Sequence, residues 1–145
     1  MPELHNILNQ QVANWTLLYT KLHNYHWYVK GENFFTLHVK FEELYNEANQ
    51  YVDELAERLL AIKGRPAATL KEVLEIATIK EAAGNETTNE MVESLSSDFK
   101  QLIDELKQGM ETAQQAGDEG TSDLFLGISV SLEKHLWMFS TFLNS

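Results

Sequence analysis

One feature limits this chain more than any other: apolar residues recur every three or four positions almost from end to end, with little to interrupt them. Only two prolines occur in 145 residues, Pro2 and Pro66. So few breakers favour long helices over a turn-rich β fold. The first rhythmic segment is predicted as a helix from about Pro2, placed where proline can start a helix, to Val29. Its stripe is Leu4, Ile7, Leu8, Val12, Trp15, Leu18, Leu22 and Tyr25, and Gly31 supplies a stop. Asn33 can cap a second helix from about Phe34 to Lys63, with Leu37, Phe41, Leu44, Ala48, Val52, Leu55 and Leu59 on one side. Gly64 and Pro66 end it.

A long connection follows. Thr69 and Glu72 form a capping-box pair for a short helix, about Leu70 to Thr78, and residues 81–88 read as loop. A third long helix is predicted from about Asn89 to Gln115, stopping at Gly117. A polar turn, residues 117–122, leads to a fourth, about Asp123 to Leu143. Short loops imply antiparallel neighbours and the long one allows a crossover. The predicted fold class is therefore all-α: a four-helix bundle with a short extra helix in the crossover between helices two and three. Residues 1–145 read as a single domain, without internal repeats.

Charge and cysteine content narrow the chemistry. Lys and Arg number 11 against 22 Asp and Glu, a net charge of −11. Duplex DNA demands a basic surface, and only Lys21 is basic in the first 29 residues apart from histidines, so DNA is not an expected partner. With no cysteine, thiol catalysis and thiolate metal sites are excluded. Any metal must be held by His, Asp and Glu, which suits iron, manganese or zinc. No leader-like basic and apolar pair opens the sequence and no apolar run reaches membrane-spanning length, so a cytoplasmic location is the expectation.

Candidate ligands concentrate between residues 26 and 57: His26, His38, Glu42, Asp53 and Glu57. At about 100° per residue, His38, Glu42, Asp53 and Glu57 fall within about 100° of one another around the second helix. Along its axis, however, His38 and Asp53 are about 22 Å apart, and metal–ligand bonds are only about 2 Å. Two arrangements satisfy both facts. Either there are two separate sites, or a second copy lies antiparallel across a two-fold axis near residues 45–48, so that His38 faces the mate's carboxylates. The Glu-x-x-His pattern of a di-iron site inside one bundle is absent. On spacing alone, His26 and His38 also fit surface or core roles, and Asp53 and Glu57 fit a solvated face beside Glu54 and Arg58. His5, His23 and His135 read as structural or surface residues, and Trp15, Trp27 and Trp137 as core or interface.

The run His23-Asn-Tyr-His-Trp-Tyr-Val-Lys-Gly-Glu-Asn-Phe-Phe-Thr-Leu-His38 is followed by Glu42-Glu-Leu-Tyr45 and Asp53-Glu-Leu-Ala-Glu-Arg58. It resembles the signature of the Dps family, the mini-ferritins of the ferritin-like superfamily. The likeness extends along the whole chain, through the short crossover helix to Lys134-His-Leu-Trp-Met-Phe139. The resemblance implies a hollow dodecamer built from two-fold dimers that binds Fe(II), oxidises it, usually with hydrogen peroxide, and stores ferric oxide against oxidative damage. It implies an intersubunit ferroxidase centre for two irons, with His26 and His38 from one subunit and Asp53 and Glu57 from its mate. Glu42 stands at an auxiliary acidic ligand position. Trp27 would lie beside the iron, to quench radicals or to pack. Asp118, Glu119 and Asp123 match the region where relatives line three-fold pores that admit iron, although Asp123 also suits a helix start, and Gly127 stands where relatives often carry another acid. Some family members compact DNA through a lysine-rich tail, a structural DNA-binding alternative that this acidic sequence does not favour.

Overall fold

The computed structural model describes residues 2–144. Five helices follow one another: α1 (Pro2–Tyr28), α2 (Phe34–Ala61), α3 (Leu70–Ile76), α4 (Thr88–Gln115) and α5 (Glu119–Leu143). The expected all-α bundle, with a short helix in its one long crossover, is what forms.

Hydrogen bonds between distant residues define the topology. His5, near the start of α1, meets the Ile62 carbonyl beyond the end of α2, so α1 and α2 are antiparallel. The Thr88 hydroxyl donates to the Lys30 carbonyl, which puts the start of α4 beside the start of α2. The crossover between them must therefore travel the length of the bundle, and α1 guides it. Asn9 accepts from the Ala67 amide, Asn14 accepts from the Thr78 amide, Lys21 donates to the Lys80 carbonyl, and the Tyr25 hydroxyl donates to Glu86. Each contact lies further along both segments.

This explains why α1 is buried over more than its apolar stripe. Besides Leu4, Leu8, Val12, Trp15, Leu18, Leu22 and Tyr25, it buries Gln11, Asn14 and Lys21. The last is paired with Asp98 of α4 at 2.7 Å. A buried cation needs such a partner. Leu37, Phe41, Leu44, Ala48, Leu55 and Leu59 of α2 complete the core with Phe99, Leu102, Leu106, Phe125 and Leu132. Ile7 and Val52, expected in the same stripes, are half-buried at its edge. Gly109 lets α4, α5 and α1 approach closely, because a Cβ there would meet Phe125 at 2.5 Å and Ile7 at 2.9 Å.

Several helix ends differ from the sequence expectation. The α2 terminus is a Schellman turn in which Lys63, not Gly64, takes the left-handed conformation, with φ 72°. The Lys63 amide donates to the Leu60 carbonyl and the Gly64 amide to the Leu59 carbonyl. Gly64 is needed for space, since a Cβ there would collide with the Leu59 side chain. Asn33 precedes α2, but its side chain makes no capping bond. The Thr69 hydroxyl oxygen accepts from the Glu72 amide as expected, but the Glu72 carboxylate accepts from that hydroxyl rather than from the Thr69 amide, so the cap is not the reciprocal box. A full capping box, Thr87 with Glu90, starts α4 one residue earlier than predicted. The polar turn at 117–122 shrinks to two residues. Gly117 (φ 73°) ends α4, and Asp118 both closes that turn through its amide and caps α5, which begins at Glu119 rather than Asp123.

Candidate metal centre

α1 ends and α2 begins around a tight turn, which brings His26 and His38 face to face. Their rings stack with centroids 3.7 Å apart and planes 14° from parallel. Each Nδ1 lies 2.7 Å from the other residue's backbone carbonyl oxygen. A carbonyl can only accept, so each Nδ1 carries a proton and donates. In the uncharged ring, the lone pair is then left on Nε2, the arrangement by which metal-binding histidines are usually oriented. The reciprocal bonds fix both rings without using either Nε2. His26 is nearly buried, at 6% exposure, and its Nε2 is 3.9 Å from Glu42 Oε1. Phe34 stacks on the far side of His38 at 4.8 Å.

Asp53 and Glu57 are solvent-exposed, further along α2. The helix runs unbroken from Phe34 to Ala61, so the rise of about 22 Å between His38 and Asp53 stands. Among the described residues, no three His, Asp or Glu side chains gather closely enough to hold a metal ion. One chain therefore presents two oriented imidazoles with Glu42 nearby, and two carboxylates elsewhere on the same helix. Trp27 packs on His23 at 5.2 Å and remains 66% exposed.

The acidic group near α5 divides. Asp118 is buried, and its Oδ1 accepts from the Thr121 amide at 3.0 Å and from Arg58 at 2.7 Å, while Oδ2 accepts from the Thr121 hydroxyl. Burial opposes its ionisation, but the bonds from Thr121 and Arg58 outweigh that and hold the carboxyl below its ordinary range. Both oxygens serve the turn, so Asp118 is occupied otherwise than as the pore acid expected from sequence. Glu119 and Asp123 are exposed one turn apart. Arg58, expected as an exposed neighbour of Glu57, lies over Gly120, whose absent Cβ leaves room for the guanidinium. Nothing in local spacing could reveal this, because its partner is sixty positions away.

A half-buried polar cluster between α2 and α5 has no counterpart among the residues singled out from sequence. Glu47 accepts from His135 Nε2 at 3.0 Å, from the Ser131 hydroxyl at 2.7 Å and from the Tyr51 hydroxyl at 2.8 Å. Lys40 Nζ approaches the other ring nitrogen of His135 at 3.2 Å. Burial pushes the Glu47 carboxyl up, but these donors outweigh it and lower it to about 2.

The fold and the histidine pair describe a ferritin-like protein, and the ferritin-like domain family matches residues 5–145. More narrowly, the chain belongs to the Dps family. It is 59% identical over 142 residues to general stress protein 20U of Bacillus subtilis, covering 98% of each chain. It is 60% identical over 138 residues to DNA protection during starvation protein 2 of Bacillus anthracis, covering 95% of this chain and 94% of that one. The crystal structure of Dps from Staphylococcus aureus superposes with a TM-score of 0.97 at 57% identity, covering 99% of this chain and 96% of that one. Among the described residues, no helix is long and apolar enough to cross a membrane.

Proposed function

We propose that this protein is an iron-storing mini-ferritin of the cytoplasm. It binds Fe(II) between subunits, oxidises it with hydrogen peroxide and keeps the ferric product inside a shell of twelve chains. One observation carries the reading: His26 and His38 are held by mutual Nδ1–carbonyl bonds so that both Nε2 atoms are left to ligate. Membership of the Dps family supports iron storage in general terms.

In the proposed centre His26 and His38 of one subunit face Asp53 and Glu57 of a two-fold mate, and Glu42 adds a carboxylate beside His26. Nitrogen and oxygen donors of this kind suit iron. Fe(II) is the substrate. Two ions bound together each give one electron to peroxide, whose O–O bond breaks to yield two water molecules after uptake of two protons. Hydroxyl radical is not released on that route. The protein's part is to place the ions, orient the imidazoles and enclose the product. Glu119 and Asp123 attract Fe(II) toward the shell, as their exposure on an acidic protein suits.

Protection of DNA follows from removing iron and peroxide rather than from gripping the duplex. A net charge of −11 opposes phosphate binding. The test mixes anaerobic protein, loaded with two Fe(II) per subunit, with peroxide or with dioxygen. Rapid Fe(II) loss with peroxide, absent from His26→Ala/His38→Ala protein, is expected. Equal rates in the two proteins reject the site, and a salt-sensitive gel shift of duplex DNA rejects the account of protection.

A further inference from the structure

Where α2 meets α5, Lys40 and Glu43 stand on one helix and His135 and Met138 on the other, each pair three residues apart and so on one side of its helix. Around the Lys40 ammonium they gather three unlike donor atoms. His135 Nδ1 lies 3.2 Å from Nζ, Glu43 Oε2 lies 3.7 Å away and Met138 Sδ 3.8 Å. The His135 ring is buried, at 7% exposure, and is oriented from behind. Its Nε2 donates to the Glu47 carboxylate at 3.0 Å. In the uncharged ring the lone pair is then on Nδ1, where the ammonium donates to it. A carboxylate behind one ring nitrogen and a lone pair on the other is the arrangement that fixes imidazoles as metal ligands. A surface cleft of about 430 Å³, lined by Phe35, Thr36, Val39, Lys40, Glu43 and Met138, opens beside the ammonium.

We propose that His135 Nδ1, Met138 Sδ and the Glu43 carboxylate form a second metal site, one for Cu(I), in which the Lys40 ammonium is a resident competitor that the ion displaces. The site shares no residue with the proposed iron centre. Donor type selects the ion first. A thioether beside an imidazole is a soft set that favours Cu(I), whereas iron(II) is served by nitrogen and oxygen. The chain has no cysteine, so methionine is its softest ligand. Charge selects it second. Glu43 brings one negative charge, and Glu47 is already engaged by His135, Ser131 and Tyr51. Exchanging one ammonium for a monovalent ion leaves the local charge unchanged, while a divalent ion adds a positive charge.

The movement required is small. Metal–ligand bonds are about 2.0–2.3 Å, so the donors close in by about 1–1.5 Å once the ammonium leaves. Glu47 keeps the ring in place. Met138 and Glu43 are the exposed members, 39% for the whole residue and 64% for the side chain, and their free torsions supply the rest. Lys40 swings into the cleft, where water solvates its charge. Coordination bonds form and no electron is transferred.

The test uses assembled shells, kept anaerobic and titrated with Cu(I) supplied as its bicinchoninate complex, and X-ray absorption at the copper edge identifies the donors. Wild-type protein is expected to take Cu(I) from the chelator and to show a sulfur neighbour at about 2.3 Å beside nitrogen or oxygen. Met138→Leu, which conserves volume, should assemble normally and lose both the sulfur and most of the affinity. Lys40→Ala removes the competing charge and should bind about tenfold more tightly. His26→Ala/His38→Ala should keep the sulfur signature, which separates this site from copper held by the iron ligands. A wild-type spectrum without sulfur, sulfur retained in Met138→Leu, or Lys40→Ala binding no tighter than wild type overturns the proposal. So does displacement of the Cu(I) by an equal concentration of Fe(II).

Discussion

Glu47 offers a quantitative test of how this bundle is held together. Its carboxyl is half-buried between α2 and α5, yet hydrogen bonds from His135, Ser131 and Tyr51 lower it from an ordinary 4.5 to about 2. At about 1.4 kcal/mol per tenfold change in proton affinity, this corresponds to about 3 kcal/mol of stability. The sign follows from the lowered value. The contribution is complete above the unfolded-state value near 4.5, and is lost as pH falls through about 2, where the native carboxyl also takes a proton. Glu47→Gln keeps the volume and some hydrogen bonding but removes the charge. Urea unfolding of both proteins, followed by far-ultraviolet circular dichroism between pH 7 and pH 2, should show the variant weaker by about 3 kcal/mol at neutral pH. The two should converge at the acid end. A gap that stays constant with pH, or no gap at pH 7, would refute the reasoning.

Three further outcomes follow from the packing. Gly109→Ala should lower stability by about 1–3 kcal/mol, read as an earlier thermal midpoint, because the new methyl meets the Phe125 ring and Ile7. An unchanged midpoint would mean α5 can shift freely. Asp118→Ala should cost more than Asp118→Asn, since Asn can still cap α5 while neither pairs with Arg58; the cap alone is worth about 1 kcal/mol. Equal losses would show that the cap contributes nothing. Glu119→Gln with Asp123→Asn should slow iron uptake by the intact shell while leaving thermal stability within about 0.5 kcal/mol, both residues being exposed. Unchanged uptake would assign them to the helix start alone.

The fold was legible because its signal is local. The heptad-like stripes of α1 and α2, the Thr69–Glu72 cap and the break at Gly64–Pro66 are read within a few residues of one another. What stayed hidden depends on residues far apart in sequence. Gln11, Asn14 and Lys21 lie off the apolar stripe of α1, and only the crossover and α4 explain their burial. Asp118 reads as one of three surface acids, and only Arg58, brought over from α2, shows its structural role. At the candidate centre, residue types and helical spacing marked His26, His38, Glu42, Asp53 and Glu57 only as candidates, and it was the resemblance to the Dps signature that gave them a role. The carbonyl bonds that orient the imidazoles were not accessible, because they depend on how α1 turns into α2.

The central claim is that the ferroxidase centre is shared between two chains. It is tested by co-assembling two inactive variants, His26→Ala/His38→Ala and Asp53→Ala/Glu57→Ala, each with its own affinity tag. Shells carrying both tags are isolated in two steps and mixed with Fe(II) and peroxide. In a mixed two-fold pair one site inherits all four losses, and the other takes both histidines from one chain and both carboxylates from its mate. With random pairing of equal amounts, about a quarter of the sites are whole, so fast oxidation should return to about a quarter of the wild-type amplitude. Proven mixed shells with no recovery would contradict the shared site.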